Sequence, residues 1–108
     1  MVHYLNAGMA ESAGKREEEA RAMEGFDQGF ARRHAAAFDS LDERLQLDYF
    51  AIDCAEAPDG RLLIFEADVA MIIHDLDPPG LYPYKKRQMK AVFDAFEAFL
   101  KSARDPAC

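Results

Sequence analysis

Leu47-Asp48-Tyr49-Phe50-Ala51-Ile52-Asp53-Cys54-Ala55-Glu56 alternates in the manner of a strand, and Arg61-Leu62-Leu63-Ile64-Phe65-Glu66-Ala67-Asp68 does so again. Between them lies Ala57-Pro58-Asp59-Gly60, and Asp-Gly is among the strongest short signals for a hairpin turn. Residues 47–56 and 61–68 are therefore predicted to pair antiparallel. With Asp59-Gly60 as a two-residue turn, Pro58 faces Arg61, Asp53 faces Glu66 and Ala51 faces Asp68. Opposed side chains lie ~5 Å apart on one face, and residues two apart along a strand share that face. Asp53, Glu66 and Asp68 are thus expected to converge on one side. The other side carries Phe50, Ile52, Cys54, Leu63, Phe65 and Ala67, which reads as a core face.

Working outward, residues 26–45 place Phe26, Phe30, His34, Ala37, Phe38, Leu41 and Leu45 at steps of three and four, the stripe of an amphipathic helix. His34 lies on that stripe with no metal-type residue one turn away, so it reads as a core or boundary histidine. Residues 85–103 form a second helix, with Met89, Val92, Phe93, Phe96 and Leu100 on its buried side. Val2-His3-Tyr4-Leu5 reads as a short strand stopped by Asn6-Ala7-Gly8, and it needs a partner strand. The polar stretch 10–25, with Lys15-Arg16-Glu17-Glu18-Glu19, is a solvated helix or linker. Residues 69–74 are apolar and fit either a strand or a buried turn, and Asp77-Pro78-Pro79-Gly80 breaks regular structure. The expectation is an α+β domain covering residues 1–108: a small antiparallel sheet with helices packed on one face, in the order β-α-β-β-α.

Composition narrows the function classes. Half of the 108 residues are apolar and eight are phenylalanine, enough to build a core. Twenty Asp and Glu against thirteen Lys and Arg give a formal charge of −7. Non-specific binding to nucleic acid or anionic lipid needs a basic footprint, so neither partner is expected. The two cysteines, Cys54 and Cys108, make no disulfide framework. Cys54 sits in an apolar run as a buried thiol, and Cys108 ends the chain. No apolar run approaches the ~20 residues that span a bilayer, and the first ten residues lack the pattern of a signal peptide. The expected compartment is the cytoplasm.

Three carboxylates on adjacent strands repel one another, and like charges directly opposed destabilise a sheet. A divalent cation, a nearby Lys or Arg, or exposure to water can each offset this. Magnesium favours carboxylate oxygens and shares itself with the phosphate oxygens of a nucleotide. His3 and His74 read as surface or hydrogen-bonded residues. Neither cysteine has a partner at catalytic spacing, so no catalytic residue is assigned. Pro83 opens the last helix, and Lys85-Lys86-Arg87 read as exposed. Basic residues at a helix N-terminus are electrostatically unfavourable, which points to an acidic neighbour or an anion there.

The two strands with their Pro58-Asp59-Gly60-Arg61 connection resemble the C-terminal lobe of ATP-grasp enzymes, most closely over residues 47–71 and more loosely over 2–100. Members of that superfamily carry an Asp on one strand and Glu-x-Asn on the next, all binding the magnesium ions that bridge the terminal phosphates of ATP. The resemblance implies metal-ligand roles for Asp53 and Glu66, with Asp68 at the position usually held by Asn. That departure adds a negative charge, which should tighten metal binding and weaken the approach of phosphate. It also implies a partial ATP-grasp-like lobe, with Mg2+ and ATP as ligands and ATP-dependent carboxylate–amine ligation as the parent activity. No lysine-bearing phosphate lobe and no G-x-x-x-x-G-K loop is present, so the chain reads as a fragment or truncated relative, inactive as a ligase by itself. The alternative expectation is a non-catalytic module that homodimerises through an exposed sheet edge or apolar face, or contacts a missing N-terminal lobe.

Overall fold

A computed structural model of the chain describes residues 8–104. Their elements are α1 (Ala13–Glu24), α2 (Phe30–Arg33), α3 (Ala35–Leu45), β1 (Ala51–Glu56), β2 (Leu62–Asp68) and α4 (Lys85–Arg104). The class is α+β, and the order among the described residues is α-α-α-β-β-α. The strand expected at Val2–Leu5 lies outside the described residues. The chain divides into two compact units, one made of the residues up to Glu24 together with those from His74 on, the other Gly25–Ile73. Among the described residues no helix is long and apolar enough to cross a membrane.

In the first unit, α1 and α4 meet. The polar stretch that read as helix or linker is helical from Ala13. The Ser12 hydroxyl accepts from the Lys15 amide at 3.3 Å, satisfying one of the free N–H groups of the first turn. The buried apolar residues are Met23, Tyr82 and Met89, each contributing roughly 1.5–3 kcal/mol. They are joined by charge: Glu19 is 1% exposed, and Lys85 at the start of α4 is also buried. The Tyr84 hydroxyl donates to Glu19 at 2.8 Å, and Lys85 Nζ stands 3.2 Å from Glu19 and 2.9 Å from Asp77. The ammonium also lies 4.4 Å from the centre of the Tyr82 ring, a cation–π contact. Burial opposes the charged form of Lys85, but the hydrogen bonds to Asp77 and Glu19 outweigh it and hold its pKa above the ordinary lysine value. Desolvation, then the bond to Glu19, pushes the Tyr84 phenol up.

Two expectations change in this unit. Lys85 is buried rather than exposed, because Glu19 and Asp77 supply the acidic neighbours its position calls for. Of the apolar stripe on α4 only Met89 is buried, while Val92, Phe93, Phe96 and Leu100 remain two-fifths exposed. Periodicity identifies an apolar stripe, but not what covers it.

In the second unit, the amphipathic stripe begins at Phe30, four residues later than expected. Residues 25–29 form a turn closed by Gly29 N–H to Gly25 O at 2.9 Å. A Cβ at Gly29 would sit 2.8 Å from that same carbonyl oxygen, so only glycine fits. The helix is also divided at His34, although the His34 amide still bonds Phe30 O and the Phe38 amide bonds His34 O. Gln46 ends α3 in the left-handed region at φ 50°, its N–H bonded to Asp42 O. Beyond β2, residues 69–74 are irregular, and Ile72 is 85% exposed, so they are neither strand nor buried turn.

Replacing Lys85 with Met leaves Glu19 buried without its cation, and urea denaturation at neutral pH should register a loss of about 3–5 kcal/mol. Gly29→Ala should lower stability by roughly 1–3 kcal/mol through overpacking against Gly25 O; an unchanged melting temperature contradicts the close approach.

Candidate functional site: a hairpin with opposed carboxylates

The turn between β1 and β2 has one residue more than Asp-Gly alone implies. Ala57 N–H donates to Arg61 O at 2.8 Å and Gly60 N–H to Ala57 O at 2.8 Å, which makes Pro58-Asp59-Gly60 the loop. Gly60 takes φ +84°, the left-handed position that closes three-residue hairpins. The Asp59 carboxylate steadies the loop, accepting from the Arg61 amide at 3.2 Å and from Arg61 Nε at 2.7 Å.

A loop one residue longer shifts the pairing nearest the turn, so Glu56 faces Leu62, Ala55 faces Leu63 and Cys54 faces Ile64. A β-bulge then intervenes, because the partner of Asp53 is Glu66 and Phe65 faces no residue. Beyond the bulge the pairs are Ile52 with Ala67 and Ala51 with Asp68. The two irregularities cancel, and Asp53 stands across from Glu66 with Asp68 on the same face.

The longer turn and the bulge together overturn the expected core face. Leu63 opposes Ala55 and so joins the carboxylate side, while Phe65 is turned out to 70% exposure. Leu63 and Ile64 are both about two-fifths exposed. Cys54 is half-buried rather than buried, with burial raising its thiol pKa.

The Asp53 and Glu66 side chains are exposed and Asp68 is half-buried. Asp68 Oδ1 accepts from the Ala70 amide at 2.8 Å, capping the end of β2. Among the described residues, no group of three or more His, Cys, Asp or Glu side chains is disposed to hold a metal ion. Magnesium does not require such a cage, since one or two carboxylates with substrate phosphates and water commonly complete its shell. The opposed pair Asp53 and Glu66 fits that donor set.

The opposite face of β1 carries the cluster that the sequence did not expose. Glu56 Oε2 stands 2.6 Å from His34 Nε2 and accepts from Arg33 Nε at 3.0 Å, and Arg33 Nη2 lies 3.4 Å from Oε1. His34 is 6% exposed, its ring 4.7 Å from that of Phe30. Hydrogen bonds from Arg33, then from His34, hold the Glu56 carboxyl below the usual carboxylate value. His74 Nδ1 accepts from the Leu76 amide at 3.3 Å, and His3 lies outside the described residues.

No protein-family model, no curated protein and no solved structure matches this chain.

Asp53→Asn removes one of two like charges facing each other. In metal-free buffer it should raise the melting temperature slightly, and in millimolar magnesium it should lower it relative to wild type. The same sign in both buffers contradicts a shared cation.

Proposed function

We propose that this hairpin is the magnesium-holding element of an ATP-grasp-type site, serving ATP-dependent joining of a carboxylate to an amine. The observation that carries the reading is Asp53 placed directly across from Glu66. Among the described residues, neither side chain forms a hydrogen bond or ion pair and no cation is paired with either to offset the repulsion between them. Asp53 and Glu66 would hold the ion, with phosphate oxygens and water completing its shell, while Asp68 is engaged through Oδ1 by the Ala70 amide. A bound magnesium ion supplies charge neutralisation for the phosphoryl group in transfer. The chain's own part is positional: the antiparallel ladder fixes both carboxylates on one face, and the bulge at Phe65 sets their alignment.

Isothermal titration with magnesium, alone and with ATP, tests this reading. Wild type should bind magnesium weakly and magnesium–ATP more tightly, and Asp53→Asn should abolish both signals. Folded wild-type protein giving no heat with either ligand overturns it.

The uncovered apolar side chains favour a second reading, self-association of two copies of this chain. Ile72 at 85%, Leu76 at 84% and Phe65 at 70% exposure are the strongest signs of it. Sedimentation across a concentration series separates the readings: a dimer that Asp53→Asn leaves intact supports association, and a monomer at micromolar concentration that binds no apolar dye contradicts it.

A further inference from the structure

The hydrogen bonds that tie α2 and the start of α3 to β1 end on one carboxylate. Glu56 receives Arg33 from the end of α2 and His34 from the junction of α2 and α3. No residue within α2, α3, β1 or β2 is buried. Apolar packing therefore does little to hold these helices to the hairpin. We infer that Glu56 is a proton-sensitive latch: ionised, it holds α2 and α3 to the hairpin, and protonated, it releases them while β1 and β2 stay paired.

The charges at the latch explain its sense. Arg33 and His34 are neighbours in sequence and share one anion. From β2 the residue facing Glu56 is Leu62, which brings no charge. At the turn, Asp59 and Arg61 satisfy each other. A neutral Glu56 leaves the Arg33 guanidinium and the His34 ring without the anion they share. The His34 ring, buried against Phe30, cannot turn to water for a replacement partner. The β1–β2 ladder is made of backbone hydrogen bonds, which do not titrate. Because the Glu56 pKa is lowered in the fold, the latch is fully closed above the pKa of an unfolded glutamate. It opens as pH falls through the lowered value. The latch is independent of cation binding, because Glu56 lies on the opposite face of β1 from Asp53.

Proton NMR reads the two halves separately, through contacts between the His34 ring and the side chain at position 56, and through cross-strand contacts between Asp53 and Glu66. Glu56→Gln at neutral pH mimics the protonated carboxyl. It should weaken the first set and speed amide exchange at His34 and Phe38 roughly tenfold or more, with the cross-strand set retained. Wild type taken from about pH 7 to about pH 3 should behave in the same way. This titration decides the matter if the variant fails to fold. Ring contacts that persist through both experiments overturn the latch. So does simultaneous loss of the ring and cross-strand contacts, which would mean cooperative unfolding and no separate release.

Discussion

The placement of Asp53 opposite Glu66 is the constraint on which the functional reading of this chain depends, and it rests on two local departures from regular pairing. Gly60, in a left-handed conformation that other residues adopt only with strain, adds a residue to the turn. The bulge at Phe65 removes that offset before the ladder reaches Glu66. Either departure alone would move Glu66 out of line with Asp53 and turn it to the other face of the ribbon, because side chains alternate with a period of two. Bulges are concentrated where a strand must aim a side chain, and this one lies immediately before Glu66.

Charge organises both units more than apolar burial does. In one unit, Lys85 is held between Glu19 and Asp77 with Tyr84 and Tyr82 around it, and Met23 and Met89 complete the buried set. In the other, Glu56 gathers Arg33 and His34. The two clusters differ in their relation to water. Glu19 is sealed, so its interaction with Lys85 is little screened and its loss leaves a costly unpaired charge. Glu56 remains about one-third exposed at its side chain, so it can exchange protons with solvent. The first arrangement suits a permanent lock, and the second suits a reversible one.

Much of this was legible from the residues because it depends on local periodicity. The alternation through Ala51–Glu56 and Leu62–Asp68, the Asp-Gly turn and the stripe of α4 each declare an element, and the expected facing of Asp53 with Glu66 is the one observed. The route to that pairing was not legible, because Asp-Gly is compatible with both two- and three-residue loops and nothing about Phe65 advertises a bulge. The Glu56 cluster was hidden for a different reason. Its partners lie on the preceding helices, and a glutamate at the end of a strand looks the same whether it meets water or an arginine. Lys85 lay between these cases: its unfavourable position at a helix N-terminus signalled a missing acidic partner, but only the packing of α1 identifies Glu19. The exposed face of α4 marks the limit of amphipathic patterns, which locate an apolar stripe without showing what covers it.

A paramagnetic divalent ion probes the central claim without relying on stability or turnover. Manganese(II) shares magnesium's preference for carboxylate oxygens, and at substoichiometric amounts it broadens the NMR signals of nuclei near its site. The carboxylate pair predicts selective broadening around Asp53, Glu66 and Asp68, reversed by excess magnesium and absent in Asp53→Asn. Broadening centred on Asp75 and Asp77, or spread evenly over the acidic surface, would contradict it.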